Sequence, residues 1–538
     1  MKRFVTSLAA LLIIPIALAQ TKTAAPLSLG DLHHPIATSS REAQQRFDEG
    51  LTLIYGFNHE EARRKFQQAA DLDAKSPMPL WGIAMAVGPN YNMDVDPERE
   101  KQAYDAIQKA LQLSAGAPES ERAYVEALAK RFTNDPKADL KHLAVNYSDA
   151  MREVARRFPD DPDAGALFAE SMMDLNPWHL WGNDGKPAPG TEEIVAALER
   201  VLRRSPDHVG ANHFYIHALE ASPYPERALP SAKRLENMVP AAGHLVHMPS
   251  HIYENTGFFH LAVVANEQAV AADQAFLATA PPGGMYGAMY FGHNLHFLAF
   301  AAMMEGNYGK AKDATAQLDA AVRPALAMVP MVEAFLPWST FVQMRFARWD
   351  EIQKMPAPDA KLVMSTCIWH FAEGSAYAAT HQLDRARAER AALDDARKSV
   401  PAGAAYGMLY NDASVLLDLA SNSLDARISE AAGDRGAAIV AWKKAVAIQD
   451  AMSYDDPPEW FYPLRESLGA ALLANGQAGK AEKTFRVDLE HNPRNPRSLF
   501  GLWQALVAQK KDVEADWVHR QFVEAWKYAD GEARLSDF

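Results

Sequence analysis

A chain of 538 residues is too long for one compact core and divides into several domains or an extended array. Its 54 Lys+Arg stand against 68 Asp+Glu, a formal net charge of −14, and so acidic a balance argues against nucleic acid and anionic membrane surfaces as partners. Cys367 is the only cysteine, which excludes an internal disulfide and a thiolate metal cluster; set before Ile368-Trp369 in an apolar stretch, it reads as a buried, inert thiol.

In chain order, Met1-Lys2-Arg3 is a basic start, residues 4–18 form an apolar run interrupted by Pro15, and Ala17-Leu18-Ala19 fits a signal-peptidase site. Residues 1–19 therefore read as a signal peptide cleaved before Gln20, too short for a membrane span. No cysteine follows to carry a lipid. The mature chain is expected to be exported, periplasmic or secreted, without a membrane span. Residues 20–38 are polar and Pro-containing, and read as a linker.

After Ser39-Ser40, a helix start, small residues recur at one spacing: Gly50, Ala62, Phe66 and Ala69, then Gly374, Ala386, Arg390 and Leu393, then Gly469, Ala481, Phe485 and Pro493. Ala426, Ala438, Trp442 and Ala445 are a looser copy. Small residues at these offsets let two antiparallel helices approach closely, and the large residue between them fills the gap. Three parts follow: N-terminal repeat-like helices over 39–175, a loop plus central His-rich repeats over 176–320, and C-terminal repeats over 321–538. Pro-containing stretches at 90–97, 176–191 and 321–358, the second also Gly-rich, interrupt the pattern and read as loops or irregular turns.

The pattern resembles the tetratricopeptide repeat, a helix-turn-helix unit of about 34 residues with small residues at its eighth and twentieth positions. Ala228 and Ala262 share that period, as do Ala481 and Ala515. The resemblance implies an all-α fold, an α-solenoid of tetratricopeptide-like helix-turn-helix repeats. It also implies a concave groove, lined by positions two, five, nine and twelve of each first helix, that binds a protein, peptide or small ligand.

Eight of the 18 histidines fall between residues 213 and 296, in runs that include His213-Phe-Tyr-Ile-His217, His244-Leu-Val-His247-Met-Pro-Ser-His251 and His293-Asn-Leu-His296. Taking Ala228, Ala262 and Ala311 as position twenty starts three repeats at Val209, Gly243 and Gly292. Position two is then Gly210, His244 and His293; position five is His213, His247 and His296; position nine is His217, His251 and Phe300; position twelve is Glu220, Glu254 and Met303. Spacings of three and four share one helix face, so seven imidazoles and two carboxylates converge on the expected groove. His142, His370 and His381, each alone, read as hydrogen-bonded packing residues.

Each buried imidazole needs partners for two ring nitrogens, which leaves three uses: a metal site, a general acid/base site, or a polar groove for a peptide or small anion. Neutral imidazole is a ligand for zinc, copper and nickel, and His213, His217, His247, His251, His293 and His296 are the candidate ligands. Glu220 or Glu254 would complete the shell, orient a ring or act as a base. Met248, Met285 and Met289 would favour copper. There is no His-Glu-x-x-His pattern, phosphate-binding loop or nucleophile elbow. Pro249 removes a helical hydrogen bond, so the middle helix is either kinked or starts there with His247 outside it. The Trp178-His179-Leu-Trp181 insert is expected to fold over the groove near His213 or to plug the solenoid core.

The His-Met-Pro-Ser-His motif at 247–251 and the later His-Asn-Leu-His resemble a group of exported bacterial tetratricopeptide-repeat proteins and, more distantly, StaR-like repeat proteins. That resemblance implies a scaffold and no particular reaction. The leading reading is a scaffold that binds a peptide, protein or small ligand in a His-lined groove. The alternative is a metal-dependent enzyme or metal-binding protein using the same histidines.

Overall fold

A computed structural model describes residues 28–281, 285–401, 403–406 and 411–538. The expected signal segment and the start of the linker lie outside the described residues. The chain is an all-α solenoid of helix hairpins, with one two-residue strand pair, Ala405–Tyr406 with Asn411–Asp412, among the described residues.

Ser40 starts the first hairpin, its side chain accepting from the Ala43 N–H ahead of helix Arg41–Tyr55; Asn58 does the same for His59–Leu72. Between them Gly50 faces Phe66, and a Cβ built on Gly50 would lie 2.7 Å from the ring. Gly82, on the next helix, presses the same ring from the other side. Phe485 is held in the same way between Gly469 and Gly501. One aromatic ring thus fills the space between a repeat's first helix and the next repeat's first helix.

In the His-rich region the first helices are Val209–Leu219, Gly243–His247 with Pro249–Asn255, and Gly292–Glu305. Their second helices are Leu229–Met238, Phe259–Leu277 and Tyr308–Val322, and Ala228, Ala262 and Ala311 are fully buried. The middle helix is interrupted, not abolished: Met248 keeps right-handed helical angles. Ser250 Oγ donates to the His247 carbonyl at 2.7 Å. His247 closes the first segment instead of falling outside it.

Residues 321–358 are not a loop. They hold two 3₁₀ turns and the helices Trp338–Arg345 and Trp349–Ile352; Pro337 stands just ahead of Trp338, where a helix tolerates it. The stretch at 176–191 is an ordered turn closed by a Trp181–Pro187 bridge. Cys367 is fully buried, its thiol pushed up to about 11 by burial, as an inert thiol should be.

The solenoid winds until its C-terminal part meets its middle. Asn183 Nδ2 donates to the Met452 carbonyl at 2.7 Å, and Arg494 Nη1 to the Thr256 carbonyl at 2.5 Å. Gly257, at φ +75, lies directly against the Pro493 carbonyl, where no Cβ fits. Arg345 and Glu466 form a two-pronged, fully buried ion pair across the same closure. Winding thereby carries residues 453–463 onto the inner face. Among the described residues no helix is long and apolar enough to cross a membrane.

Gly501→Ala should lose about 1–3 kcal/mol, the usual cost of overpacking a filled core, measured as a lowered urea midpoint. Gly116→Ala, with no atom within 4 Å of the added Cβ, should change little; equal losses would refute the packing role of Phe485.

Candidate metal centre

The histidines of the central repeats form two groups of three. In the first, nitrogens of His213, His217 and His244 lie within 4.8 Å of one another; in the second, those of His247, His251 and His293 do so. Each group has the same origin: positions five and nine of one repeat and position two of the next. A helical turn brings the first two rings together, and stacking of the neighbouring hairpin supplies the third.

Hydrogen bonds fix the rings from outside. His213 Nδ1 donates to the Tyr55 carbonyl at 2.6 Å. His217 Nδ1 donates to Glu220 Oε1 at 2.8 Å, and His251 Nδ1 lies 2.6 Å from Glu220 Oε2 and 3.1 Å from Asp456 Oδ2. His247 Nδ1 bonds Asn266 Oδ1 at 2.6 Å. Asn266 Nδ2 in turn donates to the Ala262 carbonyl at 2.8 Å, which turns the amide oxygen toward the ring. Carbonyl and carboxylate oxygens only accept, so in all four rings Nδ1 carries a proton, and in the neutral rings Nε2 carries a lone pair.

Those lone pairs face inward without donors. Nε2 of His213, Nε2 of His217 and both nitrogens of His244 are buried and have no hydrogen-bond partner. The Nε2 atoms of His247 and His251 are only 2.9 Å apart, so two lone pairs meet unless a proton or a cation lies between them. An orphaned buried nitrogen costs about 1–3 kcal/mol, and here several are gathered in one place. A ring that donates one N–H to a carbonyl or carboxylate and leaves the other nitrogen bare is the arrangement metal-binding histidines adopt.

Electrostatics keep most rings in the ligand form. Burial, reinforced by the neighbouring imidazoles, holds His213, His244, His247 and His293 well below the usual histidine range, hence neutral. His251 is the exception: burial opposes its charge, but Glu220 and Asp456 outweigh it and raise it to about 9. Glu220, against the same opposition from burial, is drawn down to about 2 by His251 and His217. Without a cation, His251 thus supplies the proton between itself and His247.

Aromatic rings pack the site. Phe57 stacks on His217 and His244 and meets His213 edge-on, while Phe297 lies 4.4–4.7 Å from His247, His251 and His293. Trp178 and Tyr91 cover His217, and Tyr290 covers His244. Trp181 Nε1 donates to the Ala218 carbonyl at 2.8 Å. The tryptophan insert therefore packs along the Val209–Leu219 helix, beside His217.

Several expectations need correction. The histidines do not line an open groove: all but His293 are buried. His296 does not join either group; its ring turns to Trp338, 3.9 Å between centroids, and to Phe335. Glu254 makes no hydrogen bond to a histidine. Its carboxyl is buried with no hydrogen-bond partner and is held well above the usual range by burial and by Asp456. Of the methionines, Met248 is in the core, Met285 is 40 % exposed, and Met289 lines a cavity with His293. His370 bonds Glu389, whereas His142 and His381 are exposed.

Asp456, Tyr454, Asn266 and Tyr55 complete the surroundings and carried no sequence signal of their own. Asp456 lies 205 residues from His251 and is fixed by Tyr454 Oη at 2.7 Å. The one hint was composition: Tyr454-Asp-Asp-Pro-Pro458 is a polar, Pro-rich break between helices. Asp456 and Glu459 also separate two spaces. A cavity of about 30 Å³ adjoins His293, His296 and Trp338, and a larger one of about 610 Å³ opens past Asn255, Tyr454 and Phe300.

No protein-family model matches the chain, and no curated protein matches it. Among solved structures it is similar to human IFIT1, as a dimer with m7Gppp-AAAA, at 13 % identity over 91 % of each chain with a TM-score of 0.31. The APC/C hetero-tetramer Cut9-Hcn1 matches at 10 % identity over 91 % of this chain and 80 % of that one, TM-score 0.33. Yeast Tom70 matches at 9 % identity over 90 % and 93 %, TM-score 0.29. Likenesses at this level define no shared site.

The shifts set a pH dependence for the metal-free protein. His251 is raised from 6.5 to about 9, so its pairing stabilises fully below about pH 6.5 and is lost as pH climbs toward 9. Chelator-treated wild type should exceed His251→Gln in urea midpoint at pH 6, and the gap should shrink by pH 9. A gap that widens with pH would contradict this assignment. The rings held neutral act oppositely, losing stability as pH falls below 6.5.

Proposed function

We propose that this protein is an exported, ligand-binding α-solenoid whose ligand site is built on a buried transition-metal centre at His213, His217, His244, His247, His251 and His293. One observation carries this reading: four rings commit Nδ1 to oxygen acceptors, Nε2 of His213 and His217 is left bare, and Nε2 of His247 and of His251 meet at 2.9 Å in a buried space. Packing alone gives no reason to align orphaned acceptors.

The donor set is all imidazole with carboxylates behind it, which suits copper, zinc or nickel; among these, copper(II) stands highest in affinity for nitrogen sites. Bound there, the metal would supply Lewis-acid or redox chemistry. Glu220 holds His217 and His251 in position, and the aromatic cover excludes water. The 610 Å³ cavity has the size of a small-molecule site and is lined by Asp456 and Glu459. Peptide recognition by the histidines themselves has less support, because the rings are out of a peptide's reach.

Untagged protein, loaded with copper, zinc or nickel and desalted, should retain the metal on elemental analysis. At a free metal concentration a thousandfold above Kd the fold should gain about 4 kcal/mol, read as a raised Tm. No retained metal and an unmoved Tm with all three ions would end the metal reading. Export is tested separately: the mature protein from a periplasmic or culture fraction should begin at Gln20.

A further inference from the structure

We infer that the two three-histidine groups hold two ions in a single dinuclear centre that shares one small bridging anion of hydroxide size. This rests on the metal reading above and adds to it the number of ions, their coupling and the class of ligand between them.

Ring spacing is the first ground. Within the groups, centroids of neighbouring rings are 4.8 Å apart for His213 and His217, 5.0 Å for His213 and His244, 4.8 Å for His247 and His251, and 4.9 Å for His247 and His293. Between the groups, His217 is 5.5 Å from His251 and His244 is 5.7 Å from His247. The remaining pairs within the groups are longer, 6.3 Å for His217 and His244 and 5.8 Å for His251 and His293, so the contacts across the boundary fall inside the range within the groups and the six rings form one continuous shell. Glu220 joins the halves from behind, holding His217 of one group and His251 of the other.

Repeat geometry sets the count at two. A third copy of the arrangement would use His296 at position five, a ring at position nine and a ligand from the next first helix. Position nine is Phe300, and the next first helix opens with Trp338, against which the His296 ring packs. The array of sites ends there.

Charge calls for the bridging anion. Six neutral imidazoles cancel none of the charge of two divalent cations, and Glu220 with Asp456 can contribute at most one negative charge each. A buried excess of positive charge is costly unless counter-charge enters with it. With rings of the two groups only 5.5 and 5.7 Å apart across the boundary, the bridging anion has to be small. Hydroxide fits that chemistry.

The test is copper(II) loading of the untagged full-length protein at pH 8, with copper counted by elemental analysis and spins by electron paramagnetic resonance. Two coppers per chain with a spin count far below the copper content are expected, because a bridge pairs the two electrons. His244→Ala and His293→Ala, each checked for unchanged helicity, should each bind one copper and restore one full spin. Two coppers with two full spins, or a single copper in the wild type, would overturn the dinuclear centre and leave the metal site standing. Failure to bind copper, zinc or nickel at all would overturn both.

Discussion

Two helices can lie close along their length only where one gives up its side chain at the crossing, and that steric constraint governs this chain from end to end. Phe66 between Gly50 and Gly82, and Phe485 between Gly469 and Gly501, show the unit at both ends of the solenoid. Once each hairpin is locked to the next at that depth, the faces turned inward are no longer free. Positions five and nine of one repeat must then meet position two of the following one, and in the centre of the chain those positions are histidine. Two three-histidine groups are the chemical result of a packing rule applied twice.

Burying six imidazoles sets a second constraint, because each ring has two nitrogens to satisfy. The chain meets a third of that demand with oxygen acceptors of quite different origin: a helix-end carbonyl at Tyr55, a carboxylate at Glu220, an amide at Asn266. Their common effect is to hold a proton on Nδ1 and turn Nε2 inward. His251, flanked by two carboxylates, is the one place where a proton can stand in for a cation. Acid and metal therefore compete for the same gap between His247 and His251.

Much of this was legible in the residues. The starts of the three His-rich first helices follow from the spacing of Ala228, Ala262 and Ala311, since helix-pair geometry is local and repeats in sequence. That same register places all six clustered rings on one surface. It could not separate them into two groups, nor exclude His296, because those outcomes turn on Phe300 and on Trp338, a residue from what read as a loop. Pro330 and Pro337 made that stretch look unstructured, although a proline just ahead of a helix is compatible with it. Asp456 was out of reach for a different reason: its role depends on the closure of the whole solenoid. Glu254 shows the limit of spacing arguments, since it holds the same repeat position as Glu220 yet finds no ring.

The contact of Gly257 with the Pro493 carbonyl has a consequence for how the centre comes into being. In a solenoid each hairpin docks on its neighbour, so order can spread stepwise along the chain. The six histidines can therefore gather as soon as three adjacent hairpins stack, but Asp456 reaches His251 only after the last third of the chain has come round and seated against that glycine. A partly wound chain would own the rings without their second carboxylate. Completion of the centre is in this sense a signature of completed winding, written 205 residues apart in one hydrogen bond.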